Sequence, residues 1–114
     1  MKRIVIRFSP AEIAAMRLRS GFFSITRFKG VFRKKAEASL LSWFQRHGEA
    51  GTGLSIARVS IRDIDENQPK DFRVEVFCSS GGKIRWRQNF RYEFDDPRLG
   101  LGGVLIPGNR HYVH

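Results

Sequence analysis

One cysteine, Cys78, stands in the whole chain, so no internal disulfide can form, and there is no Asn-x-Ser/Thr sequon. Without a covalent staple the fold must rest on an apolar core, and a reducing, cytoplasmic setting is expected. Long hydrophobic runs are also missing: no window nears the roughly 18 to 20 apolar residues of a membrane span. The N-terminus Met1-Lys2-Arg3-Ile4-Val5-Ile6-Arg7 lacks the uninterrupted apolar stretch of a secretion signal, so the mature chain is expected to begin at Met1 and no membrane partner is expected. Histidine is scarce, and neither His111 nor His114 has a cysteine or a second pair nearby to complete a zinc site. The front of a calcium loop at Asp63-x-Asp65-x-Asn67 fails where Gln68 stands for the required Gly and Val74 for the closing Glu. The glycines at 48, 51 and 53 precede no Lys-Ser/Thr, those at 100, 102 and 103 precede no helix, and no Ser-His-Asp set assembles. The residues therefore point to no metal, no cofactor and no named reaction.

What the chain does have is a core and a charge. Its 114 residues are 41% hydrophobic and include 10 Phe, 2 Trp and 2 Tyr. That suits one domain, residues 1–114, burying roughly two-thirds of its unfolded surface. Basic residues outnumber acidic ones 21 to 11, for a net charge of +10. Residues 1–48 carry eleven bases against only Glu12 and Glu37, a net of +9, so the second part of the chain is nearly balanced. Even there the signs segregate. Asp63, Asp65, Glu66 and Asp71 precede Lys83, Arg85, Arg87 and Arg91, and Asp95 and Asp96 follow. Fifteen of the bases are Arg, whose planar fork suits phosphates and base edges better than an ammonium does.

The apolar periods predict an α+β domain: an N-terminal strand and two helices packed on an antiparallel meander of three to four strands. Ile4, Ile6 and Phe8 alternate with Arg3, Val5 and Arg7, as in a strand with one apolar face. Ser9-Pro10-Ala11-Glu12 is a helix-start signature, with Ser as N-cap, Pro in the first turn and Glu closing a capping box. The helix is expected to run to about Arg19, with Gly21 past its end. Residues 22–30 fit either a short strand or an aromatic-rich loop. Over 31–47, Phe32, Ala36, Leu40, Trp43, Phe44 and His47 recur at three- and four-residue steps, which predicts a helix broken by the glycines that follow. Downstream the period changes to two, in 54–64, 72–78 and 84–94, with a last short strand at 104–106. Ser79-Ser80-Gly81-Gly82 makes the middle runs a hairpin. For Val74 and Val76 to share a face with Ile84 and Trp86, paired residue numbers must sum to an even number, and sums of 160 or 162 are the expected registers. The parity also turns Cys78 inward as a small buried hydrophobe.

The strongest constellation is the odd-numbered face of the 83–91 strand, where Lys83, Arg85, Arg87 and Arg91 project a row of cations. With Arg27, Lys29, Arg33, Lys34 and Lys35 from the helical segment and Arg110 from the C-terminus, these are expected to line a basic groove where helix and sheet rims meet. Such a groove binds the phosphate backbone of RNA or DNA, or an acidic partner surface, in a salt-sensitive way. Phe22, Phe23 and Phe28, interleaved with Arg27 and Lys29, have the composition of a base-stacking segment, although most of ten Phe in a small domain are core. The last residues, Asn109 to His114, follow Pro107-Gly108 as a terminus rich in polar groups. Metal-independent cleavage of RNA through its own 2′-hydroxyl needs little more than a His near an Arg, which would cast His111 as general acid or base and Arg87, Arg91 and Arg110 as stabilisers of the phosphorane-like charge. Non-enzymatic binding is the preferred expectation, that ribonuclease activity the alternative, and a protein inhibitor or immunity-like factor a third. An unpaired edge strand or the 22–30 segment would serve a homodimer.

In its order of one strand, two helices and an antiparallel sheet in a small basic chain, the sequence is similar to the small bacterial toxin ribonucleases of the RelE type. That resemblance implies an endoribonuclease but rests on no specific motif. The same order also resembles cone-shaped cystatin-like or nuclear-transport-factor-like domains, in which a curved sheet wraps a long helix.

Overall fold

In a computed structural model of the chain, residues 3–46, 54–64, 71–95 and 102–113 are described. His47, the glycines at 48, 51 and 53, Asp65 and Asn67, the glycine-rich segment up to 101, and His114 lie outside them. The element order is β1 (Ile4–Ile6), α1 (Pro10–Ala15), α2 (Ile25–Arg46), β2 (Ser55–Arg62), β3 (Phe72–Ser80), β4 (Lys83–Phe94) and β5 (Gly103–Tyr112). These strands form one antiparallel sheet in the order β1-β5-β4-β3-β2. The domain is thus α+β, with one correction to the expected sheet. The N-terminal strand adds to the free side of β5, where Ile4 pairs with Leu105, so the sheet has five strands rather than three to four.

The α1 start is as the capping box requires. Glu12 N–H donates to Ser9 Oγ at 3.1 Å and Ser9 N–H to Glu12 Oε1 at 2.8 Å. The helix ends at Ala15 rather than near Arg19. The backbone from 16 to 24 instead closes on itself: Ser24 N–H donates to Met16 O, Leu18 N–H to Phe22 O, and Arg17 bridges Phe23. Gly21, at φ 88°, supplies the left-handed residue of that small turn and does not cap the helix. Fully buried Met16 anchors it.

α2 begins at Ile25, six residues before the expected start, with Ser24 Oγ accepting from Arg27 N–H at 3.3 Å. Its buried stripe is Phe28, Phe32, Ala36, Leu40 and Phe44, a strict four-residue step. The stripe lies against Ile4, Ile6, Val59, Val74, Val76, Cys78, Trp86, Phe90, Tyr92 and Leu105 on one face of the sheet. Aromatic rings dominate there: Phe32 meets Tyr92 edge-on at 4.8 Å, and Phe28 touches Phe23, Phe72 and Phe94 at about 6 Å. Each fully buried Phe contributes about 1.5–3 kcal/mol through the apolar surface it removes from water.

Three β-bulges decide which side chains of the described strands face α2. Gly81 and Gly82, both with positive φ, form a two-residue turn in which Ser80 pairs with Lys83. That closure gives an odd sum and would turn the valines of β3 against the polar face of β4. Arg85, an extra residue between Ile84 and Trp86, restores the even sum. Cys78 then faces Trp86 and Val74 faces Phe90, a sum of 164. Parity is as expected, and the register is two residues beyond the nearer expected value. Ile84, before the bulge, falls out of the inward row and is 45% exposed. A bulge at Ala57 likewise leaves that residue exposed while Val59 turns inward.

The third bulge lies in β5, which runs to Tyr112 rather than stopping at 106. Pro107 faces Phe90 and Arg110 faces Gln88, so three steps along β5 span two along β4. A bulge accommodates a proline that a regular ladder would not. Gly108 permits the close approach, since a Cβ there would lie 2.9 Å from Asn89 O.

Candidate functional site

α2 covers one face of the sheet, and among the described residues no helix covers the other, called here the open face. On the open face the strand pairing aligns side chains in levels running across β2, β3, β4 and β5. One level is Arg62, Arg73, Arg91 and Ile106. The next is Ser60, Glu75 and Asn89. The third is Arg58, Phe77, Arg87 and His111. Neighbouring strands lie about 4.8 Å apart and alternate residues about 6.5–7 Å apart, so five arginines share a small area. Arg62, Arg73, Arg87, Arg91, Asn89 and Asn109 line a groove of about 610 Å³ whose floor includes Pro107 and Gly108.

Arg73 and Arg91 are direct cross-strand partners, an arrangement that like charges resist. Carboxylates at the rim moderate it. Arg73 is 3.7 Å from Asp63, and Arg91 is 3.4 Å from both Asp71 and Glu93. Glu75 sits at the centre with its side chain only 14% exposed, 3.1 Å from Arg62 and 3.8 Å from Arg87. These pairs are mostly solvated and each contributes at most about 1 kcal/mol. Arg62, Arg73, Arg87 and Arg91 thus each have a carboxylate within 4 Å, and a polyanion has to compete with Asp63, Asp71, Glu75 and Glu93 for them. Of the described charged groups lining the groove, four are Arg and two, Asp63 and Glu75, are acidic. Its lining is cationic.

Arg87 and Arg91 therefore stand where the strand period put them, and His111 is brought directly across from Arg87. The β5 bulge does this. Leu105 and Pro107 pair with inward Tyr92 and Phe90, and the extra residue reverses the alternation so that His111, not Arg110, reaches the open face. The other residues expected at the site are not brought to this groove. Lys83 pairs with Ser80 before the Arg85 bulge, which takes it out of the odd-numbered row, and Arg85 is itself the bulged residue, bonded to Ser80 O. Arg110 lies on the helix side. Its Nε and Nη2 donate to Gln88 Oε1 at 3.0 and 2.8 Å, and its guanidinium stacks 4.9 Å from the Trp86 ring centre. In Gln88, the one polar residue among the inward positions of β4, that contact satisfies Oε1, and Nε2 donates to Gly108 O at 3.4 Å.

Arg33 and Lys34 are exposed on α2, across the thickness of the helix and sheet from Arg87 and Arg91, so the expected groove between helix bases and strand bases does not form. Lys35 bonds Glu12 at 2.9 Å and lines a second groove, with Arg3, Ser39, Ser42 and Arg46, between α2 and β1. Glu12 is held below the usual carboxylate range by the Ser9 backbone N–H and by Lys35. Arg27 donates to Arg17 O at 3.0 Å, and Lys29 is half-buried on α2. Of the expected stacking segment, Phe28 is fully buried, Phe23 packs on it, and only Phe22 is exposed.

Arg58, Arg62, Arg73, Phe77 and Asn89 are site residues that the sequence did not single out, although parity carries a usable signal for them. Once Val74 and Val76 are turned inward, Arg73, Glu75 and Phe77 must share the face of Arg87 and Arg91. Among the described residues no cluster of three or more His, Cys, Asp or Glu is placed to hold a metal ion, and no helix is long and apolar enough to cross a membrane.

No protein-family model matches the chain, and no curated protein or solved structure is significantly similar to it. The likeness in element order to toxin ribonucleases and cone-shaped domains brings no residue roles with it. Chemical assignment rests on the open face itself.

Proposed function

We propose that the protein is a binding module whose open sheet face engages the phosphate backbone of nucleic acid. The observation that carries this is the alignment of Arg62, Arg73 and Arg91 on three adjacent strands, with Arg87 in the same groove. Guanidinium groups at that density attract polyanions, and releasing counterions from phosphates supplies most of the affinity of such surfaces. A cytoplasmic location, where Cys78 stays reduced, suits this function. Binding to labelled RNA and DNA is expected at about 50 mM salt and is expected to weaken steeply by about 200 mM. Undetectable binding of either at the lower salt would refute the assignment and leave an acidic protein surface as the partner.

The pairing of His111 with Arg87 supports a second function, metal-independent cleavage of RNA by a general acid or base beside a phosphate-holding Arg. It predicts cyclic or 3′-phosphate products in the presence of chelator. Because His111 is exposed, His111→Ala is expected to abolish cleavage with folding intact. Cleavage retained in that variant would remove His111 from any catalytic role.

A further inference from the structure

The three levels of the open face are chemically different, and the difference selects the form of nucleic acid. Resting on the nucleic-acid assignment above, we infer that the ligand is a single strand with unpaired bases, lying across the β-strands with its phosphates on the Arg62, Arg73 and Arg91 level and its bases toward the Arg58, Phe77 and His111 level.

Phe77 is the pointed feature. It is half-buried, yet it is not among the partly buried hydrophobic residues packed against the core, because its position on β3 turns it to the open face. The Arg58 guanidinium lies 4.3 Å over its ring, and Arg87 and His111 continue the same level. A guanidinium stacked on an aromatic ring presents its own outer plane, backed by the ring, as a platform on which a base can stack. From Arg73 to Phe77 is four residues, about 13 Å along β3, comparable with the reach of a nucleotide from its phosphate to the far edge of its base. Between the two levels lie Glu75 and Asn89, with Asn109 in the groove wall. On the phosphate level the ligand replaces Asp63 beside Arg73 and Asp71 and Glu93 beside Arg91. Glu75, held by Arg62 and Arg87, lies between phosphate and base, where its remaining lone pairs accept hydrogen bonds from exocyclic amino groups, and the two amides serve either kind of base edge.

A duplex fits this face poorly. Four strand spacings make the sheet about 19 Å wide, whereas the major groove is about 12 Å wide and admits a ribbon of two strands. A duplex would touch the face only with phosphates and leave Phe77 unused. Unstacked bases in a single strand have no such barrier.

The test is fluorescence anisotropy of the full chain with labelled RNA and DNA single strands of about 12 nucleotides, a length within the site sizes of stacking platforms. Duplexes of the same sequences are titrated beside them at low salt. Single strands are expected to bind at least about tenfold more tightly than duplex. Phe77→Ala is expected to lower single-strand affinity roughly 5- to 150-fold without changing the salt slope, and to leave duplex binding unaltered. Arg58→Ala, at an exposed position, is expected to act in the same direction and guards against misfolding of the first variant. Equal affinity for duplex and single strand, or no effect of either variant, overturns the inference while the nucleic-acid assignment stands. No binding of any nucleic acid overturns the assignment itself.

Discussion

Replacing Arg110 with Ala is expected to damage the fold and spare the interface. The side chain donates two hydrogen bonds to Gln88 Oε1, and Gln88 is only 5% exposed, so truncation leaves a buried acceptor without its charged donor. That costs about 1–3 kcal/mol. Loss of the guanidinium stacked over Trp86 and near Phe44 adds about 0.5–1 kcal/mol. The sum, about 1.5–4 kcal/mol, corresponds to a fall in Tm of roughly 6–16 °C for a domain of this size. Adding Gln88→Leu removes the stranded acceptor but also the 3.4 Å bond that Gln88 Nε2 donates to Gly108 O, so it is expected to recover only part of the loss. The assay is thermal unfolding of the parent and both variants, followed by nucleic-acid titration at several salt concentrations. The salt slope of Arg110→Ala is expected to match that of the parent. A Tm fall below about 3 °C combined with a shallower slope would refute this reasoning and place Arg110 among the ligand contacts.

Gly103→Ala is expected to be severely destabilising, because its Cβ would lie 2.1 Å from Glu93 O, a backbone atom with nowhere to go, and an unfolding titration reads the loss directly. Gly30, by contrast, lies inside α2 with nothing within 4 Å of the point a methyl group would occupy, so Gly30→Ala should raise stability by about 0.5–1 kcal/mol in the same titration. Glu12 has a lowered pKa in the folded state, so its contribution is present above the unfolded carboxylate range and is lost as pH falls through the folded value; Glu12→Gln should flatten that acid limb of a stability-against-pH curve. Burial drives the Tyr92 phenol well above its ordinary value, so its stabilising neutral form is fully present below about pH 10, and alkaline absorbance titration should leave this tyrosine un-ionised until the fold opens.

Local signals in the sequence translated directly into structure. The capping box at Ser9 and Glu12, the Phe32-Ala36-Leu40-Phe44 stripe and the inward parity of Val74, Val76 and Phe90 each depend on neighbours a few residues away. Register did not translate, because three bulges reset the alternation. Arg85 moves Ile84 and Lys83 off their expected faces, Ala57 does the same within β2, and the extra residue near Gly108 exchanges His111 and Arg110. A bulge is stabilised by pairing between strands and leaves little trace in either strand alone. Pro107-Gly108, which reads as the end of a strand, sits inside one for the same reason. The end of α1 is hidden in the sequence because the Arg17–Phe23 bridge competes with helix for the same backbone groups. The basic groove differs from expectation for another reason. Bases on α2 and on β4 are equally plain in the sequence, but nothing local to either element states that α2 covers the face opposite Arg87 and Arg91.

The salt dependence of RNA binding, compared between two charge-matched double variants, tests the location of the interface most directly. Four arginines line the groove, and neutralising a phosphate with each gives a slope of log K against log salt of about −2.8 for a single strand, a loss of about 50-fold between about 50 and 200 mM. With Arg73→Ala and Arg91→Ala the slope should fall to about −1.4 and the loss to about sevenfold, whereas Arg33→Ala with Lys34→Ala, on the far side of α2, should leave the parent slope unchanged. A slope that follows the helix pair and ignores the sheet pair would contradict the account.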